Sequence, residues 1–304
     1  MKRLFIAFAM FAAIAGSAHA DSDAGATPLF ASHEPIEITI TAPFKEIMRT
    51  RSVEEYSAGT LVHHDAANGK DTSFDIGIRT RGRFRHDTRV CPFAPLRLNF
   101  PDTQDTLFAG SDKLKVVTHC RDHSWRYEQT VLKEHIAYRI LNELTDWSFR
   151  TRLANIRYVE STTGEELSST FALFIEHREQ LGKRIGMEHD ESESTTVARL
   201  DPRHLNILSV YQFLIGNTDF SPLKGPEGEP CCHNVVLMRN ADTQIAVPYD
   251  FDMAGIVDAP HAMPNRRFGI SSVRQRVYRG RCANNVYLEE TFALFRDRRQ
   301  SIYE

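Results

Sequence analysis

Three short acidic or amide clusters stand out for their chemistry: Gly216-Asn217-Thr218-Asp219, His233-Asn234 and Pro248-Tyr249-Asp250-Phe251-Asp252, each following or bordering an apolar run. Carboxylates supply the hard oxygen ligands that Mg²⁺ prefers, an Asn carbonyl adds a neutral one, and a separate Asp can accept the proton of an attacking hydroxyl. Phosphoryl transfer asks for little else beyond a hold on the phosphates, because its catalysis is largely positioning and charge neutralisation. On this reading Asp219 is the catalytic base, Asn234 and Asp250 are metal ligands for Mg²⁺ or Mn²⁺, and Asp252 is a second or substitute carboxylate. Taken singly each is also an ordinary residue type for a cap, turn or strand end; their joint order carries the catalytic reading.

The elements around these residues follow from hydrophobic period. Two-residue alternation over Ile36 to Ile40, Phe74 to Thr80, Leu96 to Phe100 and Leu114 to Thr118 predicts four strands in the front part of the chain. Over 126–147 the period lengthens, with Leu132, Ile136, Ile140 and Leu144 flanked by Ala137 and Leu141, predicting a helix with Glu128, Lys133, Glu134, Arg139 and Glu143 mostly off its apolar stripe. Strands are expected over Leu153 to Val159 and Thr170 to Glu176. Asp201-Pro202 is an N-cap with a first-turn proline for a helix ending at Gly216. Strands over Asn234 to Met238 and Ile245 to Pro248 bracket the turn at Asn240 to Thr243, and a last helix is expected from Tyr287 to Arg299. That arrangement brings Asp219, Asn234 and Asp250 to neighbouring element ends.

Residues 1–20 read as an export signal: Lys2 and Arg3, an apolar stretch to Ile14, and a small-x-small site at Ala18-His19-Ala20. The expected product is periplasmic or extracellular, with 21–34 a mobile leader, no later run long enough to anchor it in a membrane, and no nucleic-acid partner, since 37 basic residues stand against 40 acidic ones. In an oxidising compartment the five cysteines are disulfide candidates; Cys91 with Cys120, and Cys282 with either Cys231 or Cys232, are the favoured pairs. His119 and His123 stand four apart but without the glutamate of an H-E-x-x-H zinc motif between them, and no metal role is expected for them, His233 or His261.

The strings G-N-T-D-F-S at Gly216, H-N-V-V-L at His233 and P-Y-D-F-D-M-A-G at Pro248 resemble the CotH family, regarded as atypical secreted protein kinases. Weaker likenesses extend from Ile76 to Tyr278: Arg81-Gly82, the strand Leu96 to Phe100, the helix Leu132 to Leu144, and Phe171 to Glu176. The resemblance implies ATP- and Mg²⁺-dependent transfer to a protein Ser or Thr, with Asp219 catalytic and Asp250 on the metal. The order of elements, sheet, helix, two strands and then mainly helical material with a hairpin, suggests α+β in two lobes; the resemblance implies that this is a kinase-like fold over 35–304, with a β-rich N-lobe over 35–176 and a mainly helical C-lobe over 177–304. Asn99 stands where the family carries a Lys, leaving Arg81, Arg83, Arg97 and Lys115 as candidates for the phosphate-binding cation, and Lys115 with Glu128 or Glu134 as a candidate ion pair. Glu176 is a candidate for meeting the adenine from between the lobes; a buried structural Glu is its competitor. The same motifs admit nucleotidyl transfer, ATP-dependent ligation, metal-dependent hydrolysis, or a non-catalytic envelope or adhesion module. The Arg266 to Arg281 stretch is either a substrate contact or a solvated rim.

Overall fold

The computed structural model describes residues 25–229 and 231–304; the expected export signal, its cleavage site and the start of the leader lie outside them. Seven strands close into a barrel in the order β1-β2-β3-β4-β5-β7-β6. They are β1 (Ile36–Ala42), β2 (Ser57–Asp65), β3 (Lys70–Thr80), β4 (Leu96–Asn99), β5 (Lys113–Val117), β6 (Thr151–Glu160) and β7 (Glu166–Ile175). All pairings are antiparallel except the closing one, β1 with β6, which runs parallel from Ile36 opposite Ala154 to Ala42 opposite Glu160. Alternation fills the interior: Phe74, Ile76 and Ile78 of β3, Leu96 and Leu98 of β4, and Leu114 and Val116 of β5 point inward and are buried, while the intervening residues face out. Phe74, Phe100 and Phe108 pack there at centroid separations of 4.9 to 5.9 Å. Helix α1 (Phe44–Thr50) adds Phe44 against Phe93 and Tyr158.

The rest of the chain packs outside the barrel. Helix α2 (Trp125–Leu144) lies on β6 and β7. After α3 (Arg178–Ile185) come β8 (Glu188–His189), α4 (Pro202–Ile215), β9 (Val235–Arg239) and β10 (Gln244–Pro248), and then α5 (Leu288–Asp297) and α6 (Arg299–Tyr303). The strands β10-β9-β8 form a small antiparallel sheet. Its apolar residues join α2 and α4 in a second core containing Tyr138, Leu141, Tyr211, Val247 and Phe251.

Two expectations need correction. The two-lobed kinase-like fold with a mainly helical C-lobe is contradicted by the closed seven-stranded mixed barrel and a helical content of 28%. Local alternation looks the same in an open and a closed sheet, and the closing β1–β6 pair joins segments distant in sequence. The buried face of α2 is also rotated from the expected stripe. Ile136 is 49% exposed, whereas Glu134, His135 and Asn142 are buried alongside Val131, Tyr138 and Leu141.

Candidate functional site

Asp219, Asn234, Asp250 and Asp252 line one cavity of about 620 Å³, together with Arg81, Arg83, Arg85, Arg178, His189, His233, Tyr249 and the adjacent Cys231 and Cys232. Local chemistry brings the three segments to it. Helix α4 ends at Gly216 in the left-handed conformation, φ 70°, which a glycine adopts without steric cost. The Oδ1 of Asn217 then accepts from the backbone N–H of Asp219 at 2.8 Å, a tight Asx turn that fixes the catalytic candidate. Gly216 meets Gly255 so closely that a Cβ on Gly216 would lie 3.3 Å from the Gly255 Cα, and one on Gly255 would lie 2.5 Å from the Val273 carbonyl oxygen. That contact, with hydrogen bonds from Gly255 N to Gly216 O and from Ile256 N to Ile215 O, ties the Asp219 turn to the Asp250–Asp252 loop.

The other two segments are the open ends of one hairpin. Val235 pairs with Pro248 at the last rung of β9 and β10, and the N–H of Tyr249 donates to the Asn234 carbonyl just beyond it. Asn234 and Asp250 both have positive φ, 52° and 61°, a region that costs most L-residues energy and that Asn and Asp tolerate best. Phe251, fully buried against Tyr138 and Tyr211, anchors the loop in the second core. The Tyr138 hydroxyl accepts from the Asp250 N–H at 2.9 Å. The Ser221–His233 bridge brings the Asp219 turn alongside the start of the hairpin.

The side chains interlock. The amide nitrogen of Asn234 donates to the Asp219 carbonyl at 2.8 Å and to its Oδ2 at 3.0 Å, and His233 Nε2 meets Asp219 Oδ1 at 2.8 Å. That hydrogen bond to the carboxylate raises the His233 pKa. Because the Asn234 nitrogen is committed to Asp219, its Oδ1 is the end left for a ligand. Arg85, buried, spans the acid pair, with Nη2 at 3.3 Å from Asp250 Oδ1 and Nε at 3.1 Å from Asp252 Oδ2. Asp252 also meets His261 Nε2 at 3.0 Å. Burial raises the Asp250 pKa, and the Asp252 charge adds to the rise. Burial also opposes ionisation of Asp252, but Arg85 and His261 outweigh it and hold its pKa low. Glu134, with no hydrogen-bond partner for either oxygen among the described residues, is pushed up to about 8 by burial, with Asp250 and Asp252 contributing.

The cationic candidates divide. Arg97 and Lys115 stand opposite one another on the outer faces of β4 and β5, and Arg79 stands opposite Arg97 on β3; like charges so placed repel and favour an anion nearby. The Lys115 ammonium lies 5.1 Å from the Tyr249 ring centre. Burial, reinforced by Arg81, Arg97 and Arg178, lowers its pKa to about 7. Arg81 and Arg178 line the cavity, and neither makes an ion pair within 4 Å among the described residues.

Several expected roles change. Arg83 is ion-paired with Glu229 across the cavity mouth. Glu176 is buried, pairs with Arg184 at 2.9 and 3.0 Å and accepts from the Arg150 N–H at 2.9 Å; it does not line the cavity, so its structural competitor describes it. Lys115 pairs with neither Glu128 nor Glu134 among the described residues: Glu128 accepts from Thr170, and Glu134 faces Arg85 and the acid pair. Cys91–Cys120 is bonded. Cys282 does not join the vicinal cysteines, because Cys231 and Cys232 are bonded to each other and Cys282 is a free, exposed thiol. His119 faces Asp122 at 2.6 Å.

The residues that sequence reasoning undervalued are positioning groups. Arg279 donates to the carbonyls of Thr218 and Phe220, on either side of Asp219, from between the rings of Phe220 and Phe268. Arg276 and Arg274 are held by the Leu214 carbonyl and Asp258, so these arginines brace the site loops. His233 stood out in the sequence as a neighbour of Asn234 and a discarded zinc candidate, and Arg178 carried no signal there.

Among the described residues no three His, Cys, Asp or Glu side chains form a group able to hold a metal ion unaided. The oxygens of Asp250, Asp252 and Asn234 left after Arg85, His261 and Asp219 take their shares are of the chemical type that Mg²⁺ takes when it is held by one or two carboxylates together with substrate phosphates. No protein-family model and no curated protein matches the chain.

Proposed function

We propose that this cavity binds a nucleotide, ATP being the expected one, together with Mg²⁺ or Mn²⁺, and transfers its terminal phosphoryl group to a hydroxyl, with a Ser or Thr of an exported protein as the acceptor. The observation that carries the reading is the lock of Asn234 onto Asp219 through its amide nitrogen, in a cavity lined also by Asp250 and Asp252; the lock leaves the amide oxygen as the end of Asn234 not committed to Asp219. The motif resemblance to the CotH family supports the same reading, now without the fold it implied.

A bound cation would supply charge neutralisation at the phosphates and would rest on Asp250, Asp252 and Asn234. The chain's own residues do the remaining work. Arg81 and Arg178 line the wall where a polyanion would lie, and Arg97 and Lys115 stand opposite one another on the neighbouring strands β4 and β5. Asp219, fixed by His233 and Asn234, accepts the hydroxyl proton as the oxygen attacks phosphorus.

The test is calorimetric titration of a non-hydrolysable ATP analogue with and without Mg²⁺, into wild type, Asp250→Ala and Asp219→Ala. Metal-dependent binding is expected in wild type, loss of that dependence in Asp250→Ala, and intact binding without transfer in Asp219→Ala. Equal binding by wild type and Asp250→Ala defeats the catalytic reading. A second reading, nucleotide binding without transfer, is favoured by one observation: Arg85 already bonds to both carboxylates of the acid pair. Binding by wild type with no transfer to any hydroxyl would select it.

A further inference from the structure

The bonded pair Cys231–Cys232 is the feature of the cavity wall that neither phosphoryl transfer nor the barrel explains. The other disulfide, Cys91–Cys120, is buried, at 0% and 2% exposure, and staples the β3–β4 connection to the segment after β5. Cys231 and Cys232 are only partly buried and line the cavity itself. Access is what a thiol–disulfide exchange partner requires.

Their place in the chain gives that access a consequence. The loop 222–232 is closed at its neck by two hydrogen bonds, Ser221 N to His233 O at 2.9 Å and His233 N to Ser221 O at 3.1 Å. The disulfide sits immediately before this neck. The next residue is His233, whose ring holds Asp219, and the one after is Asn234, whose amide holds it a second time. Upstream, Glu229 reaches across the mouth to Arg83, and the Cys231 N–H donates to the Glu193 carbonyl at 3.0 Å. A ring closed between adjacent residues removes backbone freedom at the point where the loop delivers both partners of Asp219. Opening that ring restores the freedom.

We propose that Cys231–Cys232 is a redox-active site that sets the geometry of the Asp219 cluster, its reductant being a small dithiol able to enter the cavity. One thiolate of the dithiol attacks a cysteine sulfur, the Cys231–Cys232 bond breaks, and a mixed disulfide forms. The second thiolate of the dithiol resolves it, leaving a cyclic disulfide. Two electrons pass to the protein, two protons are taken up at the cysteines, and two are lost from the dithiol. The oxidised pair keeps His233 and Asn234 set on Asp219, and reduction loosens them. As a statement about ligand affinity, this rests on the nucleotide reading; as a statement about the Asp219 cluster, it does not.

The experiment uses the full chain carrying Cys282→Ser, so that the free thiol does not react. Protein is incubated with dithiothreitol, alkylated and mapped by peptide mass. Amide hydrogen exchange over residues 233–236 and affinity for the Mg²⁺-loaded ATP analogue are measured before and after reduction. Expected are alkylation of Cys231 and Cys232 with Cys91 and Cys120 still bonded, faster exchange over 233–236, and at least tenfold weaker analogue binding, because reduction also frees Asn234 from the Asp219 backbone carbonyl, a contact that Asp219→Ala keeps. The variant Cys231→Ala/Cys232→Ala should reproduce the reduced behaviour without reductant. Resistance of the pair to dithiothreitol, or its reduction with unchanged exchange over 233–236, overturns the proposal. Faster exchange with no analogue binding in either state upholds the redox site and removes the nucleotide reading instead.

Discussion

Lys115 offers the sharpest quantitative test, because its charge is held down by the same surroundings that should attract an anion. Its pKa falls from 10.5 to about 7, through burial first and then the like charges of Arg81, Arg97 and Arg178, with Asp250 opposing. At pH 8 about a tenth of it is protonated. A single negative charge brought roughly 7 Å away, at an effective dielectric of about 20, favours the ammonium by about 2.4 kcal/mol, or about 1.7 pKa units. The lysine would then be about four-fifths protonated, so anion binding at pH 8 should take up about 0.7 proton. Titration of inorganic tripolyphosphate without metal, in HEPES and in Tris at pH 8, reads this uptake from the difference in observed enthalpy, and Lys115→Met should abolish it. The same shift fixes a stability trend. Below about pH 7 the ammonium is charged in both folded and unfolded chains and the folded state carries the whole penalty. From there to about 10.5 the folded lysine is neutral while the unfolded one still holds its proton, so this contribution to stability rises with pH. Lys115→Met should therefore stabilise the protein at pH 6, by on the order of 2–3 kcal/mol, and lose that advantage above the unfolded pKa. No proton uptake, together with a destabilised Lys115→Met at pH 6, would refute the account of this lysine as an ammonium buried among like charges.

Three further outcomes follow from contacts away from that lysine. Glu176→Ala breaks a buried ion pair and leaves Arg184 without its carboxylate, held by the carbonyls of Asp146 and Ser148, and should cost about 3–5 kcal/mol in denaturant unfolding while the folded fraction keeps its ligand affinity. Gly255→Ala drives a Cβ to 2.5 Å from the Val273 carbonyl, and should destabilise by at least about 1–3 kcal/mol with a lowered melting temperature. Arg279→Ala removes the clamp on the carbonyls flanking Asp219; a stability loss of about 2–3 kcal/mol is expected, with any transfer activity falling in kcat more than in KM.

What the sequence made legible was local. The strands at Phe74, Leu96, Leu114, Leu153 and Thr170 and the helices from Trp125, Pro202 and Leu288 were readable because each carries its period or cap in its own residues. β2 was not, because only Leu61 of its nine residues is fully buried and the strand contains no apolar alternation. Barrel closure and the buried face of α2 depend on partners tens of residues away, and a family resemblance whose specific strings lie within Gly216–Gly255 could not supply them. The site motifs fared better than the architecture. An Asx turn after a helix, and Asn and Asp in left-handed backbone at the open ends of a hairpin, are local consequences of residue type, whichever scaffold carries them.

The scaffold nonetheless decides which basic residues can act there. Of the arginines at the end of β3, Arg79 is held by the Val53 carbonyl and the Tyr56 ring, Arg83 goes to Glu229, and Arg85 turns inward to the acid pair. The loop that sorts them is fixed at both sides. The disulfide Cys91–Cys120 is worth about 3–4 kcal/mol by loop closure. Arg51, nearly buried, donates to the carbonyls of His86, Cys91 and Pro92. A guanidinium delivered on so constrained a segment is preorganised, so its attraction to Asp250 and Asp252 is not spent on ordering the loop. Arg85 therefore sets the threshold that any incoming cation must meet: it has to better a fixed positive charge already bonded to two carboxylates. A nucleotide that brings its own phosphate ligands to the metal lowers that threshold, which is the physical reason to expect cation and nucleotide to bind together.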